Sequence, residues 1–91
     1  MKQEAAAEIA ISAISHIASD ERMVLAFLQY AGLSPDGLRE QASDPAFLGG
    51  VLDFVLGDEE IAASFCNDQG MTGEDLMRAR LALPGAARDY V

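Results

Sequence analysis

DERMVLAFLQYAGLSPDGLR (residues 20–39) and DEEIAASFCNDQGMTGEDLM (residues 58–77) carry the same succession of signals 38 positions apart. Each opens on two acids, continues with apolar residues three and four apart, and stops at a glycine. An apolar residue, a hydroxyl residue and, four further on, a leucine follow. Gly32 pairs in this way with Gly70, Leu33 with Met71, Ser34 with Thr72 and Leu38 with Leu76. The pattern reads as helix, turn, helix. The 3.6-residue period places Met23, Val24, Phe27, Leu28, Tyr30 and Ala31 on a buried arc. A glycine just past the last turn can take the left-handed conformation that closes a Schellman ending, with Leu33 as its apolar partner. Ser34 and Thr72 then cap the next helices, Asp75 can complete a capping box, and Leu33–Leu38 and Met71–Leu76 are expected as hydrophobic staples.

Working outward, Ser19 is the expected N-cap of the helix that begins with Asp20 and Glu21, where the helix dipole favours negative charge. Residues 4–18 segregate on a helical wheel: Ile9, Ala13, Ala6, Ile17, Ala10 and Ile14 on one side, Glu4, Glu8, Ser12, Ser15 and Ser19 on the other. His16 falls at the polar margin and reads as a boundary residue rather than a ligand or general base, since its own helix offers it no second His or Cys one turn away. Asp44-Pro45 repeats the cap-then-proline signal and starts a helix through Leu56. A fifth helix is expected from Glu59 to about Gln69, and a sixth through Leu76, Ala79, Arg80 and Leu83, ending before Pro84-Gly85. No stretch keeps the alternation of a strand.

The 38-residue offset also aligns Ile9, Ala10, Ala13, Ile14 and Ile17 with Phe47, Leu48, Val51, Leu52 and Val55. The expectation is therefore an all-α fold: one compact bundle of about six short helices over residues 1–91, built as two pseudo-symmetric three-helix units. Two copies are too few for a solenoid, so the bundle should close on itself. The tail, residues 86–91, is expected to fray. Its end, Asp89-Tyr90-Val91, resembles a weak carboxyl-terminal ligand of PDZ domains.

Composition narrows the function. Six Lys and Arg stand against 15 Asp and Glu, a net charge of −9, and the basic residues are scattered. A nucleic-acid or anionic-membrane surface asks for the opposite. No apolar run approaches the roughly 20 residues of a membrane span, and Glu4 and Glu8 stand where a secretory leader carries basic residues. One cysteine, Cys66, can form no internal disulfide, which fits a reducing cytoplasm. Phosphate-binding glycine loops, nucleophile elbows and His-x-x-x-His pairs are absent from the sequence. Residues 67–75 fail the calcium-loop register, because Gly70 falls where an oxygen ligand is needed. No catalytic, cofactor-binding or metal-binding residue is expected. Residues 21–41 resemble a DNA-binding helix-turn-helix, but the would-be reading helix presents Asp36 and Glu40 beside Arg39, and the same turn recurs at Gly70 next to Glu74 and Asp75.

Residues 19–39 and 44–65 resemble a small bacterial domain family of uncharacterised function, found mainly in alphaproteobacteria, in the glycine-ended second helix and in the Asp-Pro-x-Phe-Leu and Leu-Asp-Phe segments. The resemblance implies a helical fold and a bacterial cytoplasmic setting, and it supplies no catalytic residue. This chain departs from the usual pattern in having Asp20 where a first-turn proline is common, which bears on capping.

These readings converge on a protein-interaction or adaptor module whose partner is another protein or a second copy of the chain, with no nucleic acid, membrane or cofactor. A DNA-binding regulator and a small-ligand binder are the alternatives. The expected contact surface is marked by Leu25, Gly49, Gly50 and Leu56. Two glycines in mid-helix cost roughly 2 kcal/mol relative to alanines. They fall outside the main apolar arc, with Leu56 beside Gly49 and Leu25 left over on the second helix.

Overall fold

The computed structural model describes residues 1–85. Six helices follow one another: α1 (Gln3–Ala18), α2 (Glu21–Ala31), α3 (Pro35–Gln41), α4 (Pro45–Leu56), α5 (Glu59–Gln69) and α6 (Gly73–Leu81). There is no strand among the described residues. The expected frayed tail and the PDZ-like ending lie outside them. The Cα radius of gyration, 12.1 Å, is that of a compact domain of this length.

The local signals are realised as hydrogen bonds. Ser34 Oγ accepts from the Gly37 amide at 3.2 Å, and Asp44 accepts from the Ala46 amide at 3.1 Å, each with proline at the first helical position. Thr72 and Asp75 form the full capping box, each side chain accepting from the other's amide at 3.1 Å. The Thr72 amide and then its hydroxyl hold the Asp75 carboxyl below the usual carboxylate range. A lowered pKa means that this half of the box is in place at neutral pH and is lost as pH falls through the lowered value. The cap of α2 is Asp20, not Ser19: Asp20 is extended and accepts from the Arg22 and Met23 amides. Ser19 instead still has helical angles at the end of α1, and its hydroxyl donates to the His16 carbonyl at 2.6 Å.

Gly32 and Gly70 are both left-handed, at φ 69° and 65°. Behind them the Leu33 amide reaches the Leu28 carbonyl and the Met71 amide the Cys66 carbonyl, each at 3.0 Å, the six-to-one bond of a Schellman ending. A Cβ at either glycine would meet nothing within 4 Å, so the cost of a side chain there is conformational. Gly32→Ala and Gly70→Ala are each expected to destabilise by about 1 kcal/mol. Thermal melts showing no loss at either site would contradict this.

The 38-residue relation survives in three dimensions for two helices of each unit. The caps repeat within a few degrees: Asp20 and Asp58 at φ −130° and −133°, Ser34 and Thr72 at −89° and −93°. The ring of Phe27 on α2 meets Phe54 on α4 edge-on at 5.1 Å. Their counterparts, Phe65 on α5 and His16 on α1, meet edge-on at 5.5 Å. The buried face of α1 is mostly small, Ala6, Ala10 and Ala13 followed by Ile17, where α4 presents Leu48, Val51, Leu52 and Val55. Pairing small with large lets the two central helices pack closely without voids.

The relation stops at the third helix. α6 packs on α1, α4 and α5 and buries Leu76, Ala79 and Arg80, whereas α3 buries no residue and meets the core through half-buried Leu38. In the register of the repeat Gln41, which is exposed, stands where α6 has the buried Ala79.

A cavity of about 60 Å³ remains beside α3, walled by Ile14, Ile17, Ala18, Val24, Phe27 and Leu38. In the second unit the place of Ala18 is taken by Leu56, which packs on the core. Ala18→Leu is therefore expected to cover this space and raise stability by up to about 1 kcal/mol. An unchanged or lowered melting temperature would show that the space is not the counterpart of the one Leu56 fills.

Candidate functional site

The turn between α4 and α5 and the outer edge of α2 enclose a surface groove of about 290 Å³. Tyr30, Phe54 and Ile61 supply its apolar walls, Ala26 and Gly57 keep it open, and Asp53 and Asp58 are its charged members. Each is fixed by something already built. Phe54 is wedged against Phe27. Tyr30 is 60% exposed, yet its ring is braced at 5.4 Å from Phe54 and 6.5 Å from Phe27. Asp58 caps α5, accepting from the Glu60 and Ile61 amides. Asp53 is gripped from behind by Arg80, whose Nε donates to Oδ1 at 2.6 Å and Nη2 to Oδ2 at 3.0 Å. An exposed tyrosine packed against a second aromatic is the kind of anchor that dominates protein interfaces.

The counterpart groove, 38 residues away, has been given opposite chemistry. Where the first has Phe54 and Tyr30, the second has His16 and Asp68, with His16 Nδ1 3.1 Å from Asp68 Oδ2. Ser15 and Ser19 stand in the places of Asp53 and Gly57, and Ser12 and Gln69 complete the wall. His16 is thus more than a boundary residue: its side chain is 11% exposed, and its partner comes from α5, which its own helix could not reveal. The serines beside a His–Asp pair do not form a nucleophilic triad, because Nε2, the nitrogen that would take the proton, is buried and has no hydrogen-bond partner. Cys66 offers no better nucleophile, as burial and then the charge of Asp75 push its thiol up and favour the neutral form. Among the described residues no three His, Cys, Asp or Glu side chains are grouped to hold a metal.

The four residues expected to mark a contact surface do not share one. Gly49 is buried, and the space beside it is filled from within the chain: an added Cβ would lie 2.9 Å from Arg80 Nη1 and 3.0 Å from the Pro84 carbonyl oxygen. Gly50 faces open space. Leu56 is half-buried on the core. Leu25 is 63% exposed and lines a shallow depression on the far side of α2 with Leu28, Gln29, Gly32 and Leu33. The room that Gly49 leaves is taken by Arg80 of α6 and by Pro84 just beyond it.

Tyr30, read from periodicity as part of the buried arc, is instead the most exposed wall of the groove. The signal that places it outside was present in the repeat, which aligns Tyr30 with Asp68. A position tolerating aspartate in one unit faces water in both.

No curated protein and no solved structure matches the chain. The model of the family described as "Protein of unknown function (DUF3572)" matches residues 3–86, which include all six helices, and the chain belongs to that family.

Proposed function

We propose that this domain is a protein-interaction module of the bacterial cytoplasm, without catalytic activity of its own, and that it docks its partner in the groove between Tyr30, Phe54 and Ile61. The observation that carries the reading is the exposed Tyr30 packed against Phe54, an apolar surface at a position where the other unit has a water-facing aspartate. Supporting it are the buried Nε2 of His16 and the protected Cys66, which leave the described residues short of groups poised for chemistry. The net charge of −9 argues for a protein rather than a polyanion as the partner. No helix among the described residues is long and apolar enough to cross a membrane.

The test uses the sibling groove as its guide. Tyr30→Asp installs the residue the second unit carries at the same place, so the fold should tolerate it, with a melting temperature within a few degrees of the parent, a change of about 1 kcal/mol or less. Tagged parent and variant are expressed in a native host, and the co-eluting proteins are identified by mass spectrometry. Partners present with the parent and lost with a folded Tyr30→Asp variant are the expected result. The same partners retained by both would overturn the assignment of the groove.

A further inference from the structure

The charged residues that line the Tyr30–Phe54 groove are both carboxylates, Asp53 and Asp58. The first turn of α5 adds Glu59 and Glu60 directly after Asp58. Arg80 offsets the charge of Asp53, to which it donates twice, so the acidic end of the groove rests on Asp58 and the two glutamates after it. Arg80 is buried and does not line the groove, and its guanidinium also donates to the Leu83 and Pro84 carbonyls. Arg22 lies one turn before Ala26 on α2 and is not among the lining residues. The groove therefore joins two aromatic faces to an acidic end, inside a chain carrying 15 acids against six bases. At about 290 Å³ it is at the small end of ligand sites, suited to one long side chain rather than to a whole helix.

Resting on the reading of this groove as the docking site, we propose that its occupant is an arginine side chain projecting from an otherwise apolar segment of the partner protein. The aliphatic stem lies along Ala26 and Ile61. The planar guanidinium stacks on the exposed face of Tyr30 and pairs with Asp58. Arginine fits better than lysine because its flat, weakly hydrated head can stack and donate at the same time. Asp58 can serve both roles, since Oδ1 receives the two cap amides while a carboxylate has two oxygens to offer.

The experiment titrates isotopically labelled protein with N-acetyl-Leu-Arg-Leu-amide and with the same peptide carrying glutamine or glutamate in place of arginine, following backbone amide shifts by NMR. The arginine peptide should move the amides of Tyr30, Phe54, Gly57 and Ile61, the glutamine peptide should bind about fivefold more weakly, and the glutamate peptide more weakly still. Asp58→Asn keeps an equally good N-cap and should weaken the arginine peptide about threefold while leaving the glutamine peptide unchanged. Tyr30→Leu keeps the wall apolar but removes the ring face, and should act on the arginine peptide in the same selective way. Equal binding of the arginine and glutamine peptides, or indifference of the arginine peptide to both variants, would overturn the cation while leaving the groove as a docking site. Absence of shifts at the groove with all peptides would overturn both.

Discussion

Arg80→Ala is expected to destabilise the domain by about 2–4 kcal/mol, measured by urea unfolding. The side chain is 4% exposed, and its guanidinium ties three parts of the chain together. It binds Asp53 of α4 through two bonds, and it reaches the Leu83 and Pro84 carbonyls at 3.4 and 3.2 Å, beyond the end of α6. The loss should fall short of the upper end for buried pairs because Asp53 is 35% exposed and can be rehydrated when its partner leaves. Arg80→Met keeps most of the volume over Gly49 and should cost less than alanine, since both remove the charge but methionine loses less packing. If alanine and methionine cost the same, the ion pair rather than the packing carries the stability. If neither costs more than about 0.5 kcal/mol, in the range of ordinary surface substitutions, the pair is not holding α6 on α4.

The adjacent glycines of α4 should respond with opposite signs. Gly50→Ala adds a Cβ into open space and is expected to stabilise by about 0.5–1 kcal/mol through helix propensity alone. Gly49→Ala gains the same propensity but must push back the Arg80 guanidinium and the Pro84 carbonyl, which is backbone and cannot swing aside. A net loss of about 1 kcal/mol follows for alanine, and about 3 kcal/mol for Gly49→Leu. Arg80→Met should soften the alanine clash in part, so a double-mutant cycle between positions 49 and 80 is expected to show coupling. Equal and favourable effects of alanine at both glycines would mean that α6 does not approach α4 here.

Helix number, the two-unit plan and the helix ends, save that α6 stops at Leu81 and not at Leu83, were legible in the chain because they are set by near neighbours. A cap needs an acceptor within three residues, a Schellman ending needs a glycine and one apolar contact, and burial follows a 3.6-residue rhythm. Even the one misplaced cap, Ser19 for Asp20, erred by a single residue between two good acceptors. The 38-residue offset went further, carrying real tertiary information in Phe27–Phe54 and Phe65–His16.

What the linear pattern could not supply is which copy of an equivalent surface stays open. α3 and α6 begin with a hydroxyl cap and the same leucine, yet α6 buries Leu76, Ala79 and Arg80 while α3 buries no residue. Gly49 looks like an exposed flaw in α4 until Arg80, 31 positions later, is seen to need the room. His16 and Asp68 meet across two helices, as do Tyr30 and Phe54, and neither pair is within reach of a rule based on spacing. Local order rests on hydrogen bonds between residues a few positions apart. A site rests on volumes and charges contributed by distant segments, whose approach is decided by how all the helices share one core.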